Sequence, residues 1–418
     1  MRLVILGGGS LNTPAFFAAL EEYDTLEGEI CLVDESAEAV ERMGRYVSRI
    51  VAARCLPVQV SWETDLALCG RGADFVLNMM RVGGLAAQEE DDRRLAVSGM
   101  VGHAATYPQA IRNLPATLRA ANTIEQVAPN ALWVNFSNPV TVLCEALALQ
   151  THLKVIGICY HAFGMKKDFA ALLGVDEAAV RVIYYGLNHL GWVTDVLVYD
   201  ISRMRELVSV IQRTQNKKYN HWYTQPELIP IDHAFCLYHK GDVLFDRQKG
   251  VRGSLEGAAL RMGLPNRTLK RQYQRRLALR QAMLAGDISN LEEFQTQAPW
   301  YTSCIAPFLR ACLSPNSQEF ILTWQHDRVS SSFPDVTAES GVEFHRQQIR
   351  SLLGRELPEF AQEWVRQARS SERLLIRAVL EQSRQLAAMA WAIHPNVASM
   401  VHAERLAALY FPEDVQTA

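Results

Sequence analysis

The chain opens with Leu3-Val4-Ile5-Leu6, breaks into Gly7-Gly8-Gly9-Ser10, and resumes with helical spacing from Pro14 to Leu20. No other stretch leaves so few choices of fold. Four apolar residues without polar alternation belong to a strand buried on both faces, as in a parallel sheet. A glycine turn between such a strand and a helix lets backbone amides approach a pyrophosphate, above the positive end of the helix. Asn12 stands where the third glycine of the G-x-G-x-x-G pattern would fall, so the motif alone is weak. A second apolar run, Ile30-Cys31-Leu32-Val33, strengthens it by ending on Asp34, twenty-seven residues after Gly7. A carboxylate there accepts from both ribose hydroxyls of NAD and repels the extra phosphate of NADP. The alternative is an ordinary helix cap. The expected cofactor is therefore NAD, held by Gly7, Gly8, Gly9, Ser10 and Asp34.

The alternation continues, with a helix from 38 to 53, strands near Val58-Val60 and at Ala73–Leu77, helical spacing over 85–97 and 110–127, and a strand Ala131–Asn135. Strands alternating with helices predict an α/β fold, a Rossmann-like doubly wound parallel sheet. Asn135 and Asn138 fall at the same sheet edge as Gly7, where an amide can hold a sugar hydroxyl or the nicotinamide ribose; Asn before Pro is also an ordinary turn. The next strand, Lys154–Ile158, delivers Cys159 to that edge, and Val182–Tyr185 delivers Asn188 and His189. A thiolate and an imidazole suit a divalent transition metal, although a lone cysteine or histidine is more often a core residue. Val193, Val196 and Val198 then suggest an antiparallel continuation. The reading divides the chain into an NAD-binding domain at 1–195 and a second α+β domain at 196–418 for substrate binding and oligomerisation. Within the latter, 204–230 reads as an exposed loop or lid, 256–286 as helical, 300–313 as a buried helix, 319–324 as a strand and 358–409 as helices.

Composition narrows the partners. The 418 residues are 49% hydrophobic and 21% charged with a net charge of −3, and no basic cluster interleaves with aromatics. Neither nucleic acid nor a membrane surface is an expected partner, which leaves a small molecule. The eight cysteines form no Cys-x-x-Cys pair and no small disulfide framework, which favours a reducing cytoplasm. The apolar run at the amino terminus is too short for a signal peptide, and no stretch of about twenty apolar residues exists.

Five segments, Gly7-Gly8-Gly9-Ser10, Arg81-Val82-Gly83-Gly84, Asn135-Phe136-Ser137-Asn138-Pro139, the turn at Cys159 and Gly186-Leu187-Asn188-His189, together resemble glycoside hydrolase family 4. The resemblance runs in order across the first half of the chain, with Glu339-Ser340-Gly341-Val342-Glu343 as a later fragment. It implies a lactate/malate dehydrogenase-like fold and an NAD- and manganese-dependent glycosidase, of the kind that cleaves 6-phosphoglucosides, α-galactosides or α-glucuronides. It further implies Cys159 and His189 as ligands of manganese or another divalent metal, and Arg81 and Asn138 as sugar contacts. Tyr238 falls in the segment of the catalytic tyrosine, and the expected assembly is a homodimer or homotetramer. Three departures stand out. Gly102-His103-Ala104-Ala105-Thr106 replaces the family's Gly-Gln-Glu-Thr, so an acid is missing at Ala104; Tyr160 follows the metal cysteine; and the loop before Arg112 is short. Arg81, Arg112, Lys166 and Lys167 can each meet an anionic substrate and are equally plausible as surface charges, Arg112 being taken as a further substrate residue.

Two other functions are weighed. A 2-hydroxyacid dehydrogenase shares the Ser137-Asn138-Pro139-Val140 turn, but none of the eleven histidines has the Gly-x-His-Gly context of its proton donor. A non-catalytic NAD sensor is the other, suggested by the missing acid. The mechanism implied by the resemblance oxidises the sugar at C3 with NAD, removes the acidified C2 proton with a tyrosine base, eliminates the leaving group, adds water and returns the hydride.

Overall fold

The computed structural model describes residues 1–22, 26–98, 100, 102–216, 218–219, 224–232, 234, 237, 267–289, 291–326, 336–345, 347–352, 355–397 and 399–412. Six parallel strands come first: β1 (Arg2–Leu6), β2 (Gly28–Val33), β3 (Val58–Glu63), β4 (Phe75–Asn78), β5 (Leu132–Asn135) and β6 (Lys154–Gly157). They lie side by side in the order β3-β2-β1-β4-β5-β6, the doubly wound arrangement expected from the alternation. Register is continuous across β1, with Leu3 opposite both Ile30 and Phe75. Successive side chains of β1 point to opposite faces. Leu3 and Ile5 therefore join the core with Phe16, Phe308 and Tyr301, while Val4 and Leu6 join the one with Trp133, Leu375 and Trp391.

The crossovers are α1 (Thr13–Ala19), α2 (Ala37–Ala53), α3 (Leu66–Gly70), α4 (Gly84–Ser98), α5 (Tyr107–Val127), α6 (Val140–Gln150) and α7 (Tyr160–Leu173). Their ends are set by local chemistry. Ser36 Oγ accepts from Ala39 N at 3.2 Å to cap α2, Asp65 caps α3 through Ala67 N at 2.8 Å, and proline opens α1 and α5.

Beyond β6 the same sheet continues with antiparallel strands. Described there are β7 (Val180–Leu187), β8 (Leu190–Val198), β9 (Ile201–Ser202), β10 (Ile229–Asp232), β11 (Gln318–His326), β12 (Val336–His345) and β13 (Gln348–Ser351). β11 joins β6 through Thr323 opposite Gly157, β12 pairs β11 along its length, and Glu339 of β12 lies opposite Gly186 of β7. The helices Glu359–Leu380, Arg384–Ile393 and Met400–Tyr410 pack on the face that carries Trp133. No helix among the described residues is long and apolar enough to cross a membrane.

Two expectations are corrected. Residues 204–213 form a helix, α8 (Met204–Arg213), which buries Met204, Leu207, Val208 and Ile211 on one face. Arg, Glu, Ser and Gln on the opposite face lowered the average apolarity that suggested a loop. Tyr219, also assigned to that loop, is fully buried with its hydroxyl donating to Asp168 Oδ2 at 2.8 Å. The scattered cysteines likewise concealed one pair: Cys31 of β2 and Cys69 of α3 form a disulfide with Cα atoms 5.8 Å apart. Thirty-eight residues separate them in sequence, and only the packing of α3 against β2 brings them together.

Candidate functional site

The carboxyl ends of β1, β2, β4, β5 and β6 open onto a cavity of about 870 Å³. At one end the glycine turn is folded against β2. The N–H groups of Gly7 and Gly8 both donate to Val33 O at 2.9 Å, and Gly9 N donates to Asp34 Oδ2 at 3.0 Å. Gly7 has φ +80°, and a Cβ on it would crowd Met79 O at 3.1 Å, so the position needs glycine. A Cβ on Gly9 would press on the Asp34 carboxylate at 3.0 Å, so its absence leaves room for a ligand beside that acid. Gly7, Gly9, Ser10 and Asp34 line the cavity, whereas Gly8 is buried against Leu32 and does not. Asp34 also accepts from Ser36 N at 3.2 Å. Its two oxygens offer about four acceptor sites in all, so capacity is left over for hydroxyl donors.

Asn135 is corrected from a lining to a supporting role. It is fully buried, takes a hydrogen bond from Asn78 Nδ2 at 2.9 Å, gives one to Ser137 O at 2.9 Å, and does not line the cavity. A central strand end buries its last side chain when the chain turns over it, and Asn135 spends its amide on that turn. Asn113, unnoticed in the sequence, completes the frame: Nδ2 donates to Asn138 O at 2.7 Å and Oδ1 accepts from Val82 N at 3.0 Å. One amide on α5 thus ties the loops after β4 and β5 together. Its only sequence signal was a polar residue on a largely apolar helix face, which Thr117 shares.

Of the expected sugar contacts, Arg81 and Asn138 line the cavity. Arg81 Nη1 donates to the neutral Gln88 Oε1 at 3.0 Å, and no carboxylate pairs with it among the described residues. Arg112 is elsewhere. Its guanidinium pairs with the buried Asp91 at 2.5 Å and its Nε donates to Val82 O at 3.4 Å, because an acid on the buried side of α4 needs that charge. Lys167 lines the cavity, while Lys166 borders a separate surface groove. Lys218, also on the lining, pairs with Asp168 at 2.7 Å. Ala104 is fully buried beneath Trp391, so an apolar packing position replaces the acid missing from the motif.

The metal candidates meet. Cys159 is the extended residue immediately before α7 and His189 sits at the tip of the β7–β8 hairpin, with Cys159 Sγ 3.3 Å from His189 Nε2. Sulfur and nitrogen at typical metal distances of about 2.3 and 2.1 Å, subtending an angle between 90° and tetrahedral, lie roughly 3.1–3.6 Å apart. The pair therefore fits a shared ion. No group of three or more His, Cys, Asp or Glu side chains placed to hold a metal exists among the described residues, so most of the coordination shell would fall to other oxygens.

Tyr238, the expected catalytic residue, lies outside the described residues. Tyr301 lines the cavity and follows Trp300, which stacks on Phe136 with centroids 6.1 Å apart. Burial pushes the Tyr301 phenol well up, which favours its protonated form. Nothing in the sequence distinguished these aromatics from core.

Comparison with known proteins bears on both halves of the chain. The model of family 4 glycosyl hydrolases matches residues 2–175, and that of the family 4 C-terminal domain matches 184–397. A probable 6-phospho-beta-glucosidase of Bacillus subtilis is 32% identical over 225 residues, 52% of this chain and 51% of the relative. A 6-phospho-alpha-glucosidase of Leptotrichia buccalis is 30% identical over 202 residues, 46% of each chain. The chain thus spans about half the length of these curated relatives. Among solved structures, the 6-phospho-beta glucosidase of Thermotoga maritima with manganese, NAD+ and glucose-6-phosphate superposes with a TM-score of 0.80 at 20% identity, covering 98% of this chain and 99% of that one. Malate dehydrogenase of Cryptosporidium parvum reaches 0.55 at 13% identity, over 91% and 100%. At these identities the likeness is one of fold, and it is the dehydrogenase-like fold expected.

Proposed function

Because the chain belongs to glycoside hydrolase family 4, we propose that it cleaves a 6-phosphorylated glycoside by transient oxidation of the sugar, using NAD and a divalent metal such as manganese. The observation that carries this reading is a single cavity in which the Gly7–Gly9 turn and Asp34 face the Cys159–His189 pair. Bound there, NAD supplies a reversible hydride acceptor and the metal supplies Lewis-acid stabilisation of charge beside the oxidised carbon.

The chain's own residues do the rest. Asp34 accepts from the ribose hydroxyls and excludes a 2′-phosphate. Cys159 and His189 would hold the metal, which would supply Lewis-acid stabilisation next to the bound sugar. Asn138 orients the sugar. Arg81, paired only with a neutral amide among the described residues, meets the 6-phosphate. Tyr238 removes the C2 proton as general base. The relatives named 6-phospho-glucosidases support the choice of a phosphorylated substrate over a free glycoside. A cytoplasmic location and assembly as a homodimer or homotetramer complete the proposal.

The test is a set of nitrophenyl glucosides of both anomers, with and without 6-phosphate, given NAD and manganese in deuterium oxide. The expected result is NAD-dependent release of nitrophenol from a phosphorylated substrate, without net NADH and with deuterium at C2 of the sugar. Product lacking deuterium at C2 would refute the oxidative route, and net NADH formed from malate or lactate would identify a dehydrogenase.

A further inference from the structure

The two metal candidates are held in different ways. Cys159 is relaxed, at φ −127° and ψ 132°, whereas His189 has φ +62°, in the left-handed region that favours glycine or asparagine. Leu187 pairs directly with Leu190, so Asn188 and His189 are the whole loop of a two-residue hairpin. Histidine enters that region more readily than most residues but still at a cost that its surroundings must offset.

Asn188 supplies the restraint. It is 5% exposed, and its two donors are spent on different layers of the fold. The backbone N–H donates to Thr141 Oγ1 on the first turn of α6 at 2.8 Å, and the side-chain Nδ2 donates to Glu339 Oε1 on β12 at 3.0 Å. Glu339 is 2% exposed, stands opposite Gly186 across the β7–β12 pairing, and takes a second hydrogen bond on the same oxygen from Thr323 Oγ1 at 3.5 Å. Burying a carboxyl in the middle of a sheet is costly unless it does something an apolar residue cannot. Here it orients the amide beside the strained histidine.

We infer that Glu339 is a positioning residue for the metal site: through Asn188 it holds His189 in the left-handed conformation that sets Nε2 3.3 Å from Cys159 Sγ. The inference rests on the reading that this pair binds a divalent ion. Partners of metal ligands typically account for roughly 10–100-fold in metal affinity.

Manganese binding to metal-free protein, read by the electron paramagnetic resonance signal of the free ion and by calorimetry, tests it without turnover. Asn188→Ala, which leaves β12 untouched, and Glu339→Ala are each expected to weaken binding roughly tenfold or more. The double variant should lose no more than the worse single one, because both act through one link. Glu339→Gln keeps an acceptor and is expected to recover most of the affinity. Wild-type affinity in a folded Asn188→Ala protein overturns the inference, even if Glu339→Ala fails to fold. Wild-type protein that binds no manganese, or binding that survives both Cys159→Ser and His189→Ala, overturns the metal reading and the inference with it.

Discussion

Replacing Glu372 with glutamine should remove a pH dependence from the stability of this protein. Glu372 lies on the helix Glu359–Leu380 and is 1% exposed. Burial, reinforced by the charge of Glu145 and opposed by Arg369, pushes its carboxyl from 4.5 up to about 8. A chain of hydrogen bonds fixes which way its neighbours point. Asn396 N donates to His394 Nδ1 at 3.2 Å, so a neutral His394 carries its proton on Nε2, 3.2 Å from His103 Nδ1. A neutral His103 then carries its own proton on Nε2, 3.3 Å from Glu372 Oε1. Neither oxygen of Glu372 has a hydrogen-bond partner among the described residues, so glutamine can take its place without losing one. Between pH 4.5 and about 8 the folded protein keeps a proton that the unfolded chain has released, so stability falls as pH rises through that window; below 4.5 both states are protonated and nothing is lost. At about 1.36 kcal/mol for each tenfold change in proton affinity, the loss approaches about 5 kcal/mol as an upper bound near pH 8. Urea unfolding of both proteins at pH 5, 6, 7 and 8 measures it. The variant should gain on the wild type by up to about 1.4 kcal/mol per pH unit across that range. A difference that does not change with pH would mean that Glu372 is ionised in the folded state, and the burial argument would fail.

Arg369→Ala should destabilise the fold by about 3 kcal/mol in the same assay, because it strips Glu145, 3% exposed, of its buried partner at 3.0 Å and leaves only the half-exposed Arg373. Asp34→Arg should reverse the nucleotide preference: calorimetry is expected to show NAD binding weakened at least tenfold and NADP binding gained, and unchanged preference would sever Asp34 from the ribose. Cys159→Ser should lower activity at limiting manganese and recover in part with excess, whereas metal content equal to wild type would remove the cysteine from the site. Tyr238→Phe should abolish deuterium incorporation at C2 of the product; incorporation that survives would assign the base to another residue.

The sequence by itself determined the parts of this protein whose physics is local. Leu3–Leu6, the glycine turn and the helix at Thr13–Ala19 follow from apolar runs, turn chemistry and spacing within some twenty residues, and so does Asp34 at the end of β2. Cys159 and His189 were legible for the same reason, since each is delivered by its own strand to one sheet edge. What tertiary structure alone decided is which side chains face the cavity and which support it. Asn135 and Arg112 have the right chemistry, but Asn135 is spent on the turn below it and Arg112 on Asp91, partners that no spacing rule connects. Asn113, Trp300 and Tyr301 reach the cavity from helices whose sequences read as core or surface. The clamp on His189 joins Asn188, Thr141 and Glu339 from three elements, with Glu339 151 residues away from Asn188. Hydrogen bonds and ion pairs across such separations depend on positions that exist only once the sheet has closed, and a pattern read along the chain carries no term for them.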